Sequence, residues 1–273
     1  MGKNIDISII ITTKNSAGTL DRLLESIAKQ TYKTYEIIIV DNGSTDKTVE
    51  ISKKYTKHVY SKGPERSTQR NFGAEKSNGK YLLFLDSDMV LTPNVLADCM
   101  KAISKSKYGG VVIPEVSFGE GIWAKAKILE RDINAGENYF EAARCFPLSV
   151  FKEFGGYDTN LTGPEDWDLP QRIAKKYEIG RTEAHILHNE GRPTLTRFVK
   201  RKYYYGLTVH SYLKKHRIPL VSSTTVYFLR PAFYKHWRKI VRKPLVGAAM
   251  IVMLLGEMVG GAVGYLQGRY AHD

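Results

Sequence analysis

The chain has 273 residues, 42% of them apolar, which is enough for one large α/β domain with its own core and a smaller appendage. Its formal net charge is +13, and residues 191–256 contain 14 Lys and Arg but no Asp or Glu. The rest of the chain is close to neutral, so this segment alone is expected to contact an anionic surface, either nucleic acid or acidic lipid. Its two cysteines, Cys99 and Cys145, exclude a disulfide framework and a zinc cluster, and they indicate a reducing compartment.

The N-terminal half alternates short apolar segments with helical patterns. Residues 7–11 predict a first buried strand, and the stretch 5–11 is too short and too interrupted by Asp6 and Ser8 to be a signal peptide. The pattern continues with a helix around 20–27, a strand at 36–40, a helix containing Val49 and Ile51, a strand at 58–60, a helix at 66–77 and a central strand from Lys80. Such alternation predicts a parallel sheet with right-handed crossovers, in which ligands bind beyond the carboxyl ends of the strands.

Polar segments follow three of these strands, at 12–15, 41–46 and 86–88, and the topology places them around one crevice. Asp86 and Asp88 are two residues apart, so on an extended backbone their carboxylates point the same way. Two like charges about 4 Å apart repel by roughly 4 kcal/mol at an effective dielectric constant near 20. A hard divalent cation between them and a phosphate-bearing ligand makes this arrangement tolerable. An acidic turn before the next helix is the alternative.

Six motifs occur in order within the first 190 residues: Ile-Thr-Thr-Lys-Asn at 11–15, Asp-Asn-Gly-Ser-Thr-Asp at 41–46, Gln-Arg-Asn-Phe-Gly at 69–73, Asp-Ser-Asp at 86–88, Phe-Gly-Gly-Tyr-Asp at 154–158 and Glu-Asp-Trp-Asp-Leu at 165–169. In order and spacing they resemble the family-two glycosyltransferases with the GT-A fold. The resemblance implies a Rossmann-like, mostly parallel central sheet flanked by helices over residues 1–190. The nucleotide-sugar half would cover about 1–115 and the acceptor half about 116–190, followed by a basic helical appendage at 191–273.

The resemblance implies a nucleotide-diphosphate sugar as donor. A UDP-sugar is favoured because Asp41 can accept a hydrogen bond from an imide N–H such as that of uracil. The residues placed against the donor are Thr12, Asn15, Asp41, Arg70, Asp86 and Ser87. Arg70 is expected to face the diphosphate, since a guanidinium binds oxyanions well. As alternatives, Asp41 could brace its own turn, and Arg70 could lie on a solvated helix face.

The resemblance also implies Mn²⁺ or Mg²⁺ as the cofactor, bound mainly by Asp88 with Asp86 and neutralising charge on the leaving diphosphate. His188 is the candidate third ligand. It lies 22 residues beyond Asp166 in the sequence, and some relatives place a third metal ligand at about this spacing. His185 competes for that role. A hydrogen-bonded histidine at a strand end is the alternative to a metal ligand.

The motif at 165–169 begins a predicted helix and carries the expected catalytic carboxylate. By resemblance, Asp166 is the general base that removes a proton from an acceptor hydroxyl, so that attack opposite the leaving group inverts the anomeric carbon. Glu165 is expected to position Asp166 or an acceptor hydroxyl. Acidic residues are also ordinary in a first turn, because the helix dipole favours them, and this is the alternative.

The C-terminal segment combines basic clusters with apolar stretches. Residues 195–213 predict an amphipathic helix with tyrosines at headgroup depth, and a basic cluster at 235–243 precedes an apolar stretch at 245–266. That stretch is long enough to span a bilayer, but Glu257 opposes spanning by about 3 kcal/mol at the bilayer centre. Glycines in small-xxx-small spacing would allow self-association through this helix; they are Gly256, Gly260 and Gly264. A soluble helical cap on the catalytic domain is the alternative.

No nucleic-acid-binding motif accompanies the basic segment, which favours anionic membrane lipids over nucleic acid as its partner. With residues 235–243 on the cytoplasmic side, the positive-inside rule predicts a peripheral or single-span protein at the cytoplasmic face of the membrane. A sugar hydroxyl needs a general base whereas a polyprenyl phosphate does not, so the sequence predicts transfer to a lipid-linked saccharide or glycolipid. A polyprenyl-phosphate glycosyltransferase, a non-catalytic membrane-bound scaffold and a nucleotidyltransferase are the alternatives.

Overall fold

A computed structural model describes residues 5–137 and 141–270, and within them the chain divides into two compact units. Of the described residues, the first unit contains 5–115, 141–159 and 165–188, and the second contains 116–137, 160–164 and 189–270. The strands are β1 (Ile7–Thr13), β2 (Tyr35–Asp41), β3 (Val59–Ser61), β4 (Tyr81–Asp86), β5 (Met89–Leu91), β6 (Tyr108–Val112), β7 (Glu115–Gly119), β8 (Ala143–Pro147), β9 (Glu178–Arg181) and β10 (Ile186–Gly191). The helices are α1 (Leu20–Ala28), α2 (Thr48–Tyr55), α3 (Arg66–Glu75), α4 (Val95–Ile103), α5 (Gly121–Asn134), α6 (Leu148–Glu153), α7 (Glu165–Ile173), α8 (Leu195–His216), α9 (Pro231–Lys235), α10 (Trp237–Val241) and α11 (Pro244–Tyr270), with one 3₁₀ turn at Tyr227–Leu229.

The first unit is built around a mixed sheet whose seven strands, among the described residues, follow the order β3-β2-β1-β4-β8-β6-β9. β1 is parallel to both β2 and β4, and β2 is parallel to β3, as the alternation of strands and helices predicts. β8 lies between β4 and β6 and is antiparallel to both, which that alternation does not predict. All seven residues of β1 are buried, and this explains its nearly continuous apolar sequence.

The register of the central strands brings their polar ends to one edge of the sheet. Thr13 pairs with Asp41 on β2, and Thr12 pairs with Asp86 on β4. Because the three strands are parallel, their carboxyl ends lie side by side, and the loops that follow them start from neighbouring positions.

Hydrophobic clusters cover both faces of the sheet. Ile9 and Ile11 belong to one cluster together with residues of α1 and α4. Ile10, whose side chain points to the opposite face, belongs to a second cluster with Phe84 and with Leu169 of α7. A second, smaller sheet has the order β5-β10-β7, and in it residues 186–188 of β10 pair antiparallel with β5.

The second unit is helical and contains α5, α8 and α11 around a core of its own. Residues 116–137, which the sequence assigns to an acceptor half, supply α5 and all of β7 except Glu115 to this unit. Its core includes Leu129 of α5, Phe198 of α8 and Leu254 of α11. Helix α8 runs three residues beyond its predicted end and stops at Arg217, which adopts a left-handed φ of 53°.

The glycines of α11 pack against α8 within the same chain. A Cβ on Gly260 would lie 2.5 Å from the backbone oxygen of Val199, and one on Gly264 would lie 3.0 Å from Cα of Gly206. Only glycine permits this approach, as the small-xxx-small spacing predicts. The glycine face that was expected to allow self-association is therefore already covered by α8, so that expectation is corrected.

Candidate functional site

The loops after β1 and β2 are joined by short hydrogen bonds. The hydroxyl of Thr13 donates to Asp41 Oδ1 at 2.7 Å, and the backbone N–H of Ser44 donates to Asp41 Oδ2 at 2.8 Å. Asn15 has a φ of 49°, and its side-chain oxygen accepts from the N–H of Thr45 at 2.8 Å. Asp41 is 3% exposed and braces its own turn, the alternative role considered for it. Its contact with a base stays a prediction.

The third loop, after β4, is tied to the first. The hydroxyl of Ser87 donates to Ser16 Oγ at 2.8 Å, and Thr12 lies in register with Asp86. The side chains predicted to contact the donor, other than Arg70, therefore start from one edge of the sheet. These residues are Thr12, Asn15, Asp41, Asp86 and Ser87.

Arg70 lies on α3 and is buried, with 1% of its surface exposed. Its Nη2 is 3.0 Å from Asp86 Oδ1, and its Nη1 is 2.6 Å from Asp166 Oδ1 and 3.4 Å from Glu165 Oε1. Burial opposes the charge, but the neighbouring carboxylates, led by Asp166, outweigh it and raise the pKa of Arg70. Arg70 therefore joins the Asp-Ser-Asp motif to the Glu-Asp motif, and its guanidinium faces protein carboxylates. The solvated helix face considered for it is wrong.

Asp86 lies between two guanidinium groups. Its Oδ1 faces Arg70, and its Oδ2 is 3.3 Å from Nη1 of Arg144, a buried residue of β8. Burial raises the pKa of this carboxyl, but Arg144 and Arg70 outweigh burial and hold the pKa well below its usual range. Asp86 is thus a fixed anion with both oxygens turned to cations. This geometry favours a supporting role over direct metal binding.

Arg144 also begins a chain of contacts that ends at Asp88. Its Nη2 lies 2.7 Å from Glu115 Oε1, and Glu115 Oε2 lies 2.9 Å from Nδ1 of His188. The other ring nitrogen of His188, Nε2, faces Asp88 Oδ2 at 3.6 Å. By contrast, the contacts described for His185 run through its backbone oxygen, which accepts hydrogen bonds from Thr92. Of the two histidines, His188 is the one directed at Asp88.

Asp88 and His188 have the spacing that a shared cation needs. Over residues 5–137 and 141–270, no group of three or more His, Cys, Asp or Glu side chains is arranged to hold a metal by itself. Adjacent ligands of an octahedral Mg²⁺ with bonds of about 2.1 Å are roughly 3 Å apart, close to the 3.6 Å found here. Such ions commonly take one or two protein ligands and complete their shell with substrate phosphates and water. The donor pair therefore fits Mg²⁺ or Mn²⁺ shared with a diphosphate.

Glu165 and Asp166 start α7 but occupy different environments. Glu165 is 1% exposed, and its Oε1 lies 3.2 Å from Nη2 of Arg66. Burial and the adjacent Asp166 raise the pKa of Glu165. The side chain of Asp166 is 21% exposed, so it can meet a substrate, whereas Glu165 cannot. Of the two roles predicted for Glu165, the geometry favours positioning Asp166 through Arg70.

Two members of this cluster, Arg144 and Glu115, were not found from the sequence. An apolar run that ends at a carboxylate drew attention to Asp86, and the same signature occurs at residues 109–114 before Glu115. No comparable local signal marks Arg144. Its role depends on the antiparallel placement of β8 beside β4, which is a long-range feature.

Comparisons with known proteins show the family and the fold of the chain. Residues 8–156 match the family described as Glycosyl transferase family 2. A curated relative, the poly(ribitol-phosphate) beta-N-acetylglucosaminyltransferase TarP of Staphylococcus aureus, is 33% identical over 168 residues, which are 54% of this chain and 48% of TarP.

Two solved structures share the fold. The mannosyltransferase PcManGT of Pyrobaculum calidifontis, in complex with GDP-Man and Mn²⁺, has a TM-score of 0.62 at 16% identity and covers 98% of this chain and 88% of its own. S. aureus TarS 1-349 in complex with UDP-GlcNAc has a TM-score of 0.53 at 17% identity, with 98% and 92% covered. The family match spans more than half of the chain, and the polar loops that follow β1, β2 and β4 start from one edge of the sheet. This chain therefore belongs to glycosyl transferase family 2.

Proposed function

We propose that this chain is an inverting glycosyltransferase that acts at the cytoplasmic face of a membrane. It transfers a sugar from a nucleotide-diphosphate sugar, with a UDP-sugar favoured, to a hydroxyl of a lipid-linked saccharide or glycolipid. The observation that carries the proposal is the position of Arg70, whose guanidinium contacts Asp86 of the donor motif and Asp166 of the acidic motif. Because the Arg70 side chain contacts both carboxylates, a donor held near Asp86 would lie close to a base at Asp166.

Asp166 is the proposed general base. The acceptor oxygen attacks the anomeric carbon, the bond from that carbon to the diphosphate oxygen breaks, and the hydroxyl proton passes to the Asp166 carboxylate. Arg70 holds the Asp166 carboxylate in place at 2.6 Å. The side chain of Asp166 is partly exposed, so a substrate can reach it. A single displacement of this kind inverts the anomeric centre.

Asp88 and His188 would hold the divalent cation. When bound, the cation neutralises charge that develops on the leaving diphosphate. With Nδ1–H of His188 donating to Glu115, Nε2 is the nitrogen directed at Asp88. Arg144 fixes Glu115 in turn, so the strand β8 supports the histidine. PcManGT, which shares the fold, was solved in complex with Mn²⁺, and this makes Mn²⁺ the first cation to test.

The acceptor and the location rest on the second unit. In the part of the chain that the structure describes, α11 is the one helix that is long and apolar enough to cross a membrane. The basic segment before it suits an anionic surface. The name of TarP and the UDP-GlcNAc complex of TarS make UDP-GlcNAc the first donor to test.

The test combines a donor screen with two variants. Purified chain is incubated with Mn²⁺, a panel of nucleotide sugars and a membrane lipid extract that supplies acceptors, and the nucleoside diphosphate released is measured. Asp166→Asn is expected to lower turnover by about 10²–10⁴-fold because it removes the base. The matched control is Asp132→Asn, the same change at an exposed position of α5, and it should leave turnover unchanged.

Each alternative gives a different result. Near-normal turnover of Asp166→Asn would favour a polyprenyl phosphate as acceptor, since this nucleophile is already ionised. Pyrophosphate as the product would indicate a nucleotidyltransferase. Failure of the chain to turn over any donor, with Asp88→Ala binding nucleotide as the wild type does, would indicate a scaffold. NMR of the product distinguishes inversion from retention.

A further inference from the structure

Helix α11 exposes a continuous apolar face. Large apolar side chains along it are 42–81% exposed: Leu245, Ile251, Val252, Leu255, Val259, Val263 and Leu266. From Val252 to Leu266 they recur every three or four residues, and together with Leu245 and Ile251 they form one stripe about 30 Å long. A stripe of this length exceeds the isolated apolar residues of an ordinary soluble surface, and it requires a partner.

The opposite face of α11 is packed against protein. Gly260 approaches the backbone of Val199, Gly264 that of Tyr203, and Gly268 that of Leu207. The residue numbers increase along both helices from one contact to the next. Helices α8 and α11 are therefore packed in parallel over these turns. Their spacing leaves no room for lipid between them. Any placement of α11 in a membrane therefore carries α8 with it.

If α11 spanned the bilayer, α8 would have to enter the hydrocarbon core beside it, and its charged residues oppose this. It contains Arg197, Lys200, Arg201, Lys202, Lys214 and Lys215, and each such residue is costly at the centre of a bilayer. The middle of α11 is charged as well, since Glu257 is buried beside Lys127 at 3.4 Å and accepts from the hydroxyl of Tyr227 at 2.7 Å. A bilayer-spanning α11 would have to separate from α8 and expose this carboxylate to lipid.

The charge of the second unit favours an anionic partner. Its sequence holds 18 Lys and Arg against 7 Asp and Glu, a net charge of +11 out of +13 for the chain. Tyr234 and Trp237 are exposed just before α11, among basic residues. Exposed aromatic and basic residues together are typical of contact with lipid headgroups.

We infer that α11 lies in the plane of an anionic phospholipid bilayer. Its exposed apolar stripe, which includes Val259, is inserted among the acyl chains, and α8 packs on the face of α11 that points away from the lipid. The helix attaches the chain from one side and does not span. This inference rests on the membrane location in the proposed function and defines its geometry.

Vesicle binding by the full-length chain tests the contact. Flotation is measured with vesicles of phosphatidylcholine, alone or mixed with phosphatidylglycerol. Val259→Glu is expected to lower partition into the mixed vesicles by about tenfold or more, because it places a charge on the inserted stripe. Val221→Glu, the same change at an exposed loop position outside α11, should stay within about twofold of the wild type. Equal binding of Val259→Glu and the wild type would overturn the inference.

Labelling tests the orientation. Lys243→Cys and Tyr270→Cys place thiols at the two ends of α11, and the native Cys99 and Cys145 are buried. In sealed inverted membrane vesicles, an impermeant maleimide should label both ends. Protection of one end until detergent is added would show spanning and overturn the inference.

A second copy of the chain is the other occupant to exclude. Light scattering of the protein in solution tests for such a dimer. A dimer that Val259→Glu dissociates, together with failure of the wild type to bind vesicles, would also overturn the inference. Release of nucleoside diphosphate from the donor, measured without vesicles, reports on the transferase separately. A failure of membrane contact is thereby distinguished from a failure of the proposed function.

Discussion

Replacing Arg70 by methionine tests whether one buried cation holds the candidate site together. The guanidinium is 1% exposed and contacts Asp86 at 3.0 Å and Asp166 at 2.6 Å. Removing one partner of a buried ion pair costs about 3–5 kcal/mol, because the remaining charge is left uncompensated. At about 2–4 °C per kcal/mol for a unit of this size, the melting temperature of Arg70→Met should fall by about 6–20 °C.

The assay is thermal unfolding of the full chain, followed by calorimetry at neutral pH. Arg181→Met makes the same change at a half-buried site in the same unit, where the partner is Glu141, and should cost less than about 1 kcal/mol. Arg70→Lys should lie between the two, since one ammonium cannot reach three carboxylates. Melting of Arg70→Met within about 2 °C of the wild type would refute the reasoning.

Three further predictions concern metal affinity, acid stability and helix packing. Glu115→Gln should weaken Mn²⁺ binding, measured by calorimetry with UDP present, by about 10–100-fold, since groups that orient a metal-binding histidine have effects of this size. Burial alone would raise the pKa of Glu36, but hydrogen bonds led by that from Ser8 outweigh it and lower the pKa below the ordinary 4.5. Its contribution is therefore complete above about pH 4.5 and is lost in acid, so the deficit of Glu36→Gln in denaturant unfolding, about 1–3 kcal/mol near neutral pH, should shrink as the pH falls. Gly264→Ala should destabilise the chain by about 1–3 kcal/mol through overpacking against α8, whereas Gly261→Ala, where the nearest atom is 4.0 Å away, should stabilise it by up to about 1 kcal/mol.

The controls for these predictions use matched changes. Glu120→Gln, at an exposed position, should leave Mn²⁺ affinity unchanged, and a loss equal to that of Glu115→Gln would contradict the role given to Glu115. For Glu36, a deficit that grows in acid would show that the sign is wrong. For the glycines, equal effects at 261 and 264 would mean that the close approach of the helices is not the cause.

Strands β1, β2 and β4 could be predicted from the sequence because they are buried on both faces. Ile7–Thr13 and Tyr35–Asp41 are apolar runs that end in polar residues, and parallel pairing then brings the ends together without further information. Helices α1 and α3 were predicted to within two residues at each end. The apolar stretch at 245–266 likewise lies within α11.

The connections within the site could not be predicted, because they depend on contacts between distant parts of the chain. Arg70 and Asp166 are 96 residues apart, and neither the helical pattern of α3 nor its charge distinguishes a buried arginine from a solvated one. Glu115 and Arg144 meet only because β8 enters the sheet antiparallel. The glycines of α11 suggested a helix partner, but their spacing does not tell whether that partner is α8 or another copy.

The position of β8 has a consequence for how the chain can be divided or synthesised. The strand comes from residues 143–147, yet it hydrogen-bonds to β4 and β6 and carries the arginine beside Asp86. A fragment that ends at residue 115 would leave β4 with an open hydrogen-bonding edge, a hazard for aggregation. During synthesis β4 would keep this open edge until β8 had left the ribosome. Truncated versions meant to isolate nucleotide binding should therefore extend past Pro147.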